Sequence, residues 1–382
     1  MTTPEFRGGP LRVALLYDMD ACYNPTGVTR HALAQTARLR RRPDVDLRLI
    51  SGRIGHPDGL AFWETMDDVA RRELPLSMRT MLRLWRMTQF PPIDFWAGTA
   101  EWIYCPAEYW IPTIRHKLAV TSHDVLQDLT YGNDRRKAML GQVFGSATLI
   151  LSVSDFNTRM LVESFPACRA KVRYVPNAAE DLFFKSASSA ERTHVRTDLG
   201  LPDGVPYLLS VANFQPRKNL ARLISVAGRL PEVAAGDLAL VLVGDGSAEE
   251  LGPIREAIAA LGPKALVRTP GYLQGKALRA AYAEATALVF PSICESFGIP
   301  AVEAMAQGCP VALANSTALP EIGGEAGWYF DPAVDDSITG TLADLLRQTD
   351  ERARRVDLGR SIAGTYRWDA SNDRLVAALR GG

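Results

Sequence analysis

Apolar positions along the chain gather into short runs separated by longer helical stretches. "LRVALLY" (11–17) is an apolar run followed by turn formers, the pattern of a buried strand. After Gly27 the apolar residues Val28, Ala32 and Leu39 recur near one helical face. "VDLRLI" (45–50) sets Val45, Leu47 and Leu49 at every second position, which predicts a strand. The same reading predicts strands within 102–105, 117–122, 147–154 and 171–176, with helices between most of them. Residues 180–204 break the pattern: they are polar, rich in Ser and Ala, and weakly periodic, so they mark a domain boundary with room for a small helix. A second series follows, with strands predicted in 206–212, 238–244, 287–292 and 310–315. A helix near 219–230 and two closing helices near 336–349 and 351–364 complete it. Strands alternating with helices imply parallel sheets covered on both faces. The fold class predicted is α/β, two doubly wound Rossmann-like domains divided at about residue 185. Ligands of such sheets bind where strand carboxyl ends meet helix starts, and a cleft between two such domains offers both.

Composition narrows the function. The 382 residues carry 43 Lys+Arg against 43 Asp+Glu, a balance unlike that of a protein gripping nucleic acid through bulk positive charge. Five scattered cysteines (22, 105, 168, 294, 309) form no Cys-x-x-Cys pair, so neither a disulfide framework nor a zinc site is expected. The polar start "MTTPEFRGGP" lacks an apolar signal core, and no run approaches 18 apolar residues. A cytoplasmic location is expected.

The chemistry concentrates in "FPSICESFGIPAVEAMAQG" (290–308). A strand leads into a loop, Gly298 permits unusual backbone angles, Pro300 suits the first helical position, and Gly308 stops the helix. Ile299 is then the expected N-cap, without a side-chain acceptor, so the helix starts with unpartnered N–H groups that suit an anion or a sugar hydroxyl. Glu295 falls in the loop and Glu303, eight positions on, in the first turn. On an unbroken helix that spacing spans about 12 Å. Retaining glycosidases hold their carboxyls about 5–5.5 Å apart. Recognition of sugar hydroxyls is the better reading, against a plain dipole complement and a solvated loop acid.

The run from Glu295 to Glu303 and the following "AMAQGCPV" resemble the E-x7-E signature of family 4 retaining glycosyltransferases, which have the two-domain GT-B fold. The resemblance implies that Glu295 contacts the donor sugar and Glu303 the ribose. The amides of Ser296, Phe297, Gly298 and Ile299 then face sugar and phosphates. In "SVANFQPRKNL" (210–220) it makes Arg217 and Lys218 the diphosphate clamp, where a solvated basic turn is the ordinary reading. "NPTGVTRH" (24–31) is similar to the family's first glycine loop, with Thr26 in place of the first glycine and Gly27 open to a phosphate. In "TSHDVL" (121–126) it puts His123 near the donor sugar. "GYLQGKALRAAYAEA" (271–285) resembles the segment that meets the nucleobase through Tyr272 and Leu273, and Glu321 in "ALPEIGG" supports the site. Ser154 and Asn177 read as structural, a helix cap and a turn beside the hinge. The helix after Trp368 resembles the family's terminal helix, which crosses back to the first domain. The domains become 1–185 with about 366–382, and 186–365.

The resemblance is thin over 52–116, where Phe62, Trp63, Trp85, Phe95, Trp96, Trp102, Tyr104, Tyr109 and Trp110 suit either an acceptor sugar or a core. Within it, helix 77–90 puts Met78, Met81, Leu82 and Trp85 on one face and Arg79, Arg83 and Arg86 on another. That pattern fits either packing on its own domain or lying on the inner face of a membrane bearing a lipid-linked acceptor. Asp18-Met19-Asp20 imitates a metal-binding Asp-x-Asp but follows the first strand, so it reads as loop acids. No cofactor and no obligatory metal are expected; Arg217, Lys218 and the helix-start amides would neutralise the leaving diphosphate. The function implied is transfer of a hexose, mannose or glucose type, from a GDP- or UDP-linked donor to a glycan or lipid-linked acceptor in polysaccharide or glycoconjugate synthesis. The alternatives are a sugar-nucleotide 2-epimerase of the same fold and an inactive nucleotide-binding module. A dinucleotide oxidoreductase is disfavoured because no Gly-x-Gly-x-x-Gly follows the first strand.

Overall fold

The computed structural model describes residues 9–23 and 26–382, with residues 22, 23 and 131 described by backbone alone. The amino-terminal residues 1–8, and Asn24 and Pro25 of the glycine-loop segment, lie outside the described residues. The chain divides into two units, one built from the residues up to Asn177 together with Trp368–Gly382, the other from Ala178–Arg367.

In the first unit β1 (Leu11–Leu16), β2 (Val45–Ser51), β3 (Ala70–Glu73), β4 (Trp102–Cys105), β5 (Lys117–Ser122), β6 (Leu149–Ser152) and β7 (Val172–Tyr174) form one sheet in the order β3-β2-β1-β4-β5-β6-β7. Every pairing is parallel, and Val13 of β1 sits between Leu47 of β2 and Trp102 of β4. The inner strands are buried at nearly every position, as continuous apolar runs require when helices cover both faces. The carboxyl-terminal helix Trp368–Gly381 packs on helix Gly27–Leu39 and adds Leu375, Val376 and Leu379 to this core.

The second unit repeats the plan. Its strands β8 (Tyr207–Val211), β9 (Ala239–Val243), β10 (Val267–Gly271), β11 (Ala287–Phe290), β12 (Val311–Ala314) and β13 (Gly327–Phe330) are all parallel, in the order β10-β9-β8-β11-β12-β13. In each unit the spatial order of strands reverses once, between β1 and β4 and between β8 and β11. The crevices at the carboxyl ends of those strand pairs are where ligands of doubly wound sheets bind.

Three strands escaped the sequence reading, and all three are sheet edges. β3 is the polar run Ala-Arg-Arg-Glu, β10 contains Pro270, and β13 is a four-residue strand opening on Gly327. Edge strands need neither an apolar pattern nor every ladder N–H. The polar stretch 180–204 is no loose connection. Its helix Ser189–Asp198 starts from a capping box, Ser188 with Glu191, and packs on helix Gly275–Glu284. Arg279, almost buried, pairs with the same Glu191.

The helix Met78–Thr88 corrects one expectation. Met78, Met81 and Trp85 are buried in the first unit's core, so the apolar face drawn for a membrane is spent on the protein itself. Most of the surrounding aromatics do likewise: Trp102 and Tyr104 are fully buried, and Phe62, Trp63, Trp96, Tyr109 and Trp110 pack against the core.

Candidate active site

In the second unit the chain leaves β8 through an extended loop held to the end of the neighbouring strand, Ala212 N–H donating to the Val243 carbonyl and Phe214 N–H to that of Asp245. One short helical turn, Pro216–Lys218, follows, and Asn219 in left-handed conformation starts helix Leu220–Ala227. This turn holds Arg217 and Lys218 back from solvent, with side chains 14% and 10% exposed, where the ordinary fate of such a pair is full solvation. Arg217 Nη1 donates to the Cys294 carbonyl at 2.9 Å and Nε to Gln215 Oε1 at 3.0 Å, while its own carbonyl accepts from Ile293 N–H. Lys218 Nζ lies 2.5 Å from Glu295 Oε1 and above the Phe290 ring. Arg217 Nη1 is 3.8 Å from the other Glu295 oxygen. The two loops at the strand-order reversal are thus stitched together by charge.

The loop after β11 is fixed on its other side by Thr317. Its hydroxyl accepts from Glu295 N–H at 3.0 Å, and its backbone sits at φ 54°, strained for a β-branched residue. Nothing in the sequence singled out Thr317. Helix Ile299–Ala306 begins one residue earlier than expected, with Gly298 as N-cap at φ 104° and Pro300 second in the helix. Glycine is required there twice over, since a Cβ would also meet Leu319 Cδ2 at 2.7 Å. Gly298, like Ile299, offers no side-chain acceptor to the helix start. The N–H groups of Ser296, Phe297, Gly298 and Ile299 make no hydrogen bond among the described residues, and the buried Ser296 hydroxyl is likewise unpartnered. Four consecutive free amides beside a helix start form a cradle for an anion. Phe297 itself turns inward, edge-on to Tyr366 at 5.4 Å.

Glu303 lies in the second turn of that helix, not the first, because the helix starts at Ile299. It is 1% exposed and accepts from the Tyr282 hydroxyl at 3.0 Å. The two glutamates therefore answer to different partners, Glu295 to the basic turn and Glu303 to helix Gly275–Glu284. Tyr272 and Leu273 follow directly on β10, Tyr272 exposed and Leu273 half-buried, and Glu321 sits half-buried on helix Leu319–Gly323.

In the first unit Gly27 opens helix Gly27–Leu39, and Thr26 caps it by accepting from Thr29 N–H at 3.4 Å, which gives a physical reason for threonine where a glycine was expected. A Cβ at Gly27 would meet nothing within 4 Å among the described residues, and its backbone angle does not demand glycine. His123 follows β5 and is buried. Its Nε2 donates to the Pro106 carbonyl at 3.0 Å, its backbone N–H donates to Glu108 Oε1, and its ring meets His31 edge-on at 4.9 Å. Burial holds the His123 imidazole below its ordinary pKa, against the opposing pull of Asp124.

His31 anchors a buried polar cluster. Nδ1 faces Asn177 Oδ1 at 2.8 Å; an amide oxygen only accepts, so Nδ1 carries the proton and Nε2 accepts from the Tyr104 hydroxyl at 2.9 Å. Trp368 closes over the same ring. Asn177 thus joins His31 as a structural residue, and Ser154 caps helix Asp155–Ser164 as read. Glu108, which the sequence reading passed over among aromatics, has its carboxyl pushed up to about 7, chiefly by burial. Asp20 Oδ1 accepts from the N–H groups of Gly55 and His56, each at 2.9 Å, the work of a loop acid.

Residues 191–361 match the family model described as "Glycosyl transferases group 1". The O-antigen chain mannosyltransferase B of Escherichia coli is 27% identical over 288 residues, 73% of this chain and 74% of that protein. The MMP alpha-(1->4)-mannosyltransferase of Mycolicibacterium hassiacum is 28% identical over 233 residues, 60% of this chain and about half (53%) of that longer relative. Among solved structures, Anabaena Alr3699/HepE in complex with UDP and glucose superposes with a TM-score of 0.77 at 17% identity, over 97% of this chain and all (100%) of that one. A glycosyltransferase from Rickettsia africae gives 0.74 at 13%, over 97% and 98%. The chain is a glycosyltransferase with the GT-B fold, and its second unit carries the group 1 segment.

Proposed function

We propose that this glycosyltransferase is retaining and metal-independent, and moves a hexose of the mannose or glucose type from a GDP- or UDP-linked donor to a glycan or lipid-linked acceptor in cell-surface polysaccharide or glycoconjugate synthesis. The observation that carries the reading is the cradle of free amides, Ser296 to Ile299, beside the Arg217–Lys218 turn on one strand-order reversal. Such a cradle suits a diphosphate, and Glu295 beside it suits the hydroxyls of the attached sugar. The names of the Escherichia coli and Mycolicibacterium relatives support mannose; the UDP and glucose of the Anabaena structure support a nucleotide-linked hexose.

On this reading the bond between the anomeric carbon and the diphosphate oxygen breaks, and the electron pair leaves with the phosphate. Arg217, Lys218 and the amides meet the growing negative charge. The acceptor hydroxyl forms its new bond on the same face and passes its proton to the departing phosphate oxygen, so no side chain acts as a covalent nucleophile. Lys218 exchanges part of its bond to Glu295 for the phosphate, which frees the carboxylate for the sugar. His123, on the first unit, is assigned a part in turnover, and Gly27 an approach to phosphate.

A screen of GDP-mannose, UDP-glucose and UDP-galactose by free-nucleotide release, with simple glycan acceptors, tests the reading, followed by NMR of the product's anomeric configuration. One donor should turn over, with configuration retained and with activity surviving a chelator. An inverted product contradicts it, as does formation of the donor's 2-epimer without an acceptor.

A further inference from the structure

With Met78, Met81 and Trp85 committed to the core, a different apolar group is left outside on the first unit. Of nine large hydrophobic side chains exposed among the described residues, four gather here: Met87 (83%), Phe90 (61%), Phe95 (68%) and Ile114 (78%). Phe90 and Phe95 meet edge-on at 6.3 Å. Asp94, next to Phe95, accepts from the N–H groups of Ile114 and Arg115 at 3.0 and 2.8 Å and bonds His116 Nδ1 at 2.9 Å, so the 114–116 turn is pinned beside the phenylalanines. Met87 stands at the last turn of helix Met78–Thr88, three residues before Phe90.

We propose that Met87, Phe90, Phe95 and Ile114, rimmed by Arg83, Arg86 and Arg115, form a surface that docks on an anionic lipid bilayer. Single exposed hydrophobic side chains are ordinary on soluble proteins, but clustered aromatic ones are a contact surface. The charge around the cluster selects its partner. No Asp or Glu occurs from Leu74 to Ile93, the three arginines are exposed, and none of them enters an ion pair among the described residues. Asp94, the next acid along the chain, is turned onto backbone N–H groups and His116. Apolar side chains at the centre with uncompensated cations around them match the boundary between acyl chains and anionic headgroups. The surface differs from the helix face that the sequence suggested, and it stands without the donor chemistry: a chain that binds vesicles but transfers no sugar would overturn that chemistry and leave this surface intact.

Flotation of the full chain with phosphatidylcholine vesicles, with and without phosphatidylglycerol, tests it. The wild type should float with the anionic vesicles alone, less as salt is raised. Arg83→Gln/Arg86→Gln/Arg115→Gln should weaken partitioning by about fivefold for each arginine. Phe90→Ser/Phe95→Ser should abolish flotation with an unchanged melting temperature, since both side chains are exposed. No flotation by the wild type overturns the proposal, as does equal flotation by both variants. A non-floating dimer that the Phe90→Ser/Phe95→Ser change dissociates also overturns it, and assigns the surface to a second copy.

Discussion

Lys218 and Glu295 meet at 2.5 Å with little solvent around either side chain, so neither can be removed quietly. Losing one partner of a buried pair strands the other charge, at a cost of roughly 3 kcal/mol. On the proposed mechanism each also acts where charge develops. Lys218→Met and Glu295→Gln should each lower kcat/KM by about a hundredfold or more. The double variant should lose less than the sum of the two in thermal stability, because the second change removes the charge stranded by the first. Additive losses in the melts would mean that the pair is not formed in solution. A second residue gives a pH signature. The folded-state Glu108 carboxyl titrates at about 7 against an ordinary 4.5, so the folded chain keeps a proton that the unfolded chain has released. Its share of stability is whole below about pH 4.5 and is lost as pH climbs to about 7. Wild-type stability measured against Glu108→Gln should therefore decline across that window; a flat difference contradicts it. His31 and His123 act in the opposite sense: burial holds both neutral, and their share is whole above 6.5 and lost as pH falls below it.

Two glycines at helix starts separate a fold requirement from a site requirement. At Gly298 a Cβ would clash with Leu319 and the backbone lies at φ 104°, so Gly298→Ala should lower the melting temperature and activity together. At Gly27 a Cβ would meet nothing within 4 Å among the described residues, and alanine frees less backbone entropy on unfolding. Gly27→Ala should therefore leave the melting temperature unchanged or slightly raised while lowering kcat/KM. Unaltered activity would remove Gly27 from the site. What the sequence could disclose about such elements follows from where they lie. β4 and β5 were legible to the residue because both faces are buried and the apolar runs have sharp ends. β3 and β10 were not, because one is polar and the other is broken by a proline, and β13 was not, because only three residues follow its opening glycine. The loop 291–298 was legible through its glycine, proline and glutamates, yet its cap was placed one residue late, since the order of residues does not fix the backbone angle of 104° at Gly298. The Lys218–Glu295 contact spans 77 positions, and Thr317 and Glu108 act by hydrogen bonds that no local pattern announces.

Each whole unit is laid out on the same plan. Gly27 and Glu108 follow the strands that flank the first sheet's reversal, while Arg217, Lys218 and Glu295 follow those that flank the second's. The first unit also depends on the chain's far end. Helix Trp368–Gly381 inserts Leu375, Val376 and Leu379 into its core, Trp368 covers His31, and Ser371 donates to the Pro176 carbonyl at 2.6 Å. At roughly 2 kcal/mol for each fully buried apolar side chain, deleting 368–382 should unfold the first unit. Circular dichroism melts should then lose one transition, whereas an unchanged melt would contradict the assignment of this helix to the first core. The central claim, that the Arg217–Lys218 turn and the amides of 296–299 grip a nucleoside diphosphate, is tested most directly by calorimetric titration of UDP and GDP into the wild type and Lys218→Met. One of the two nucleotides should bind the wild type, and the variant should bind it at least about tenfold more weakly. Failure of both nucleotides to bind, or equal affinity in the two proteins, would contradict it.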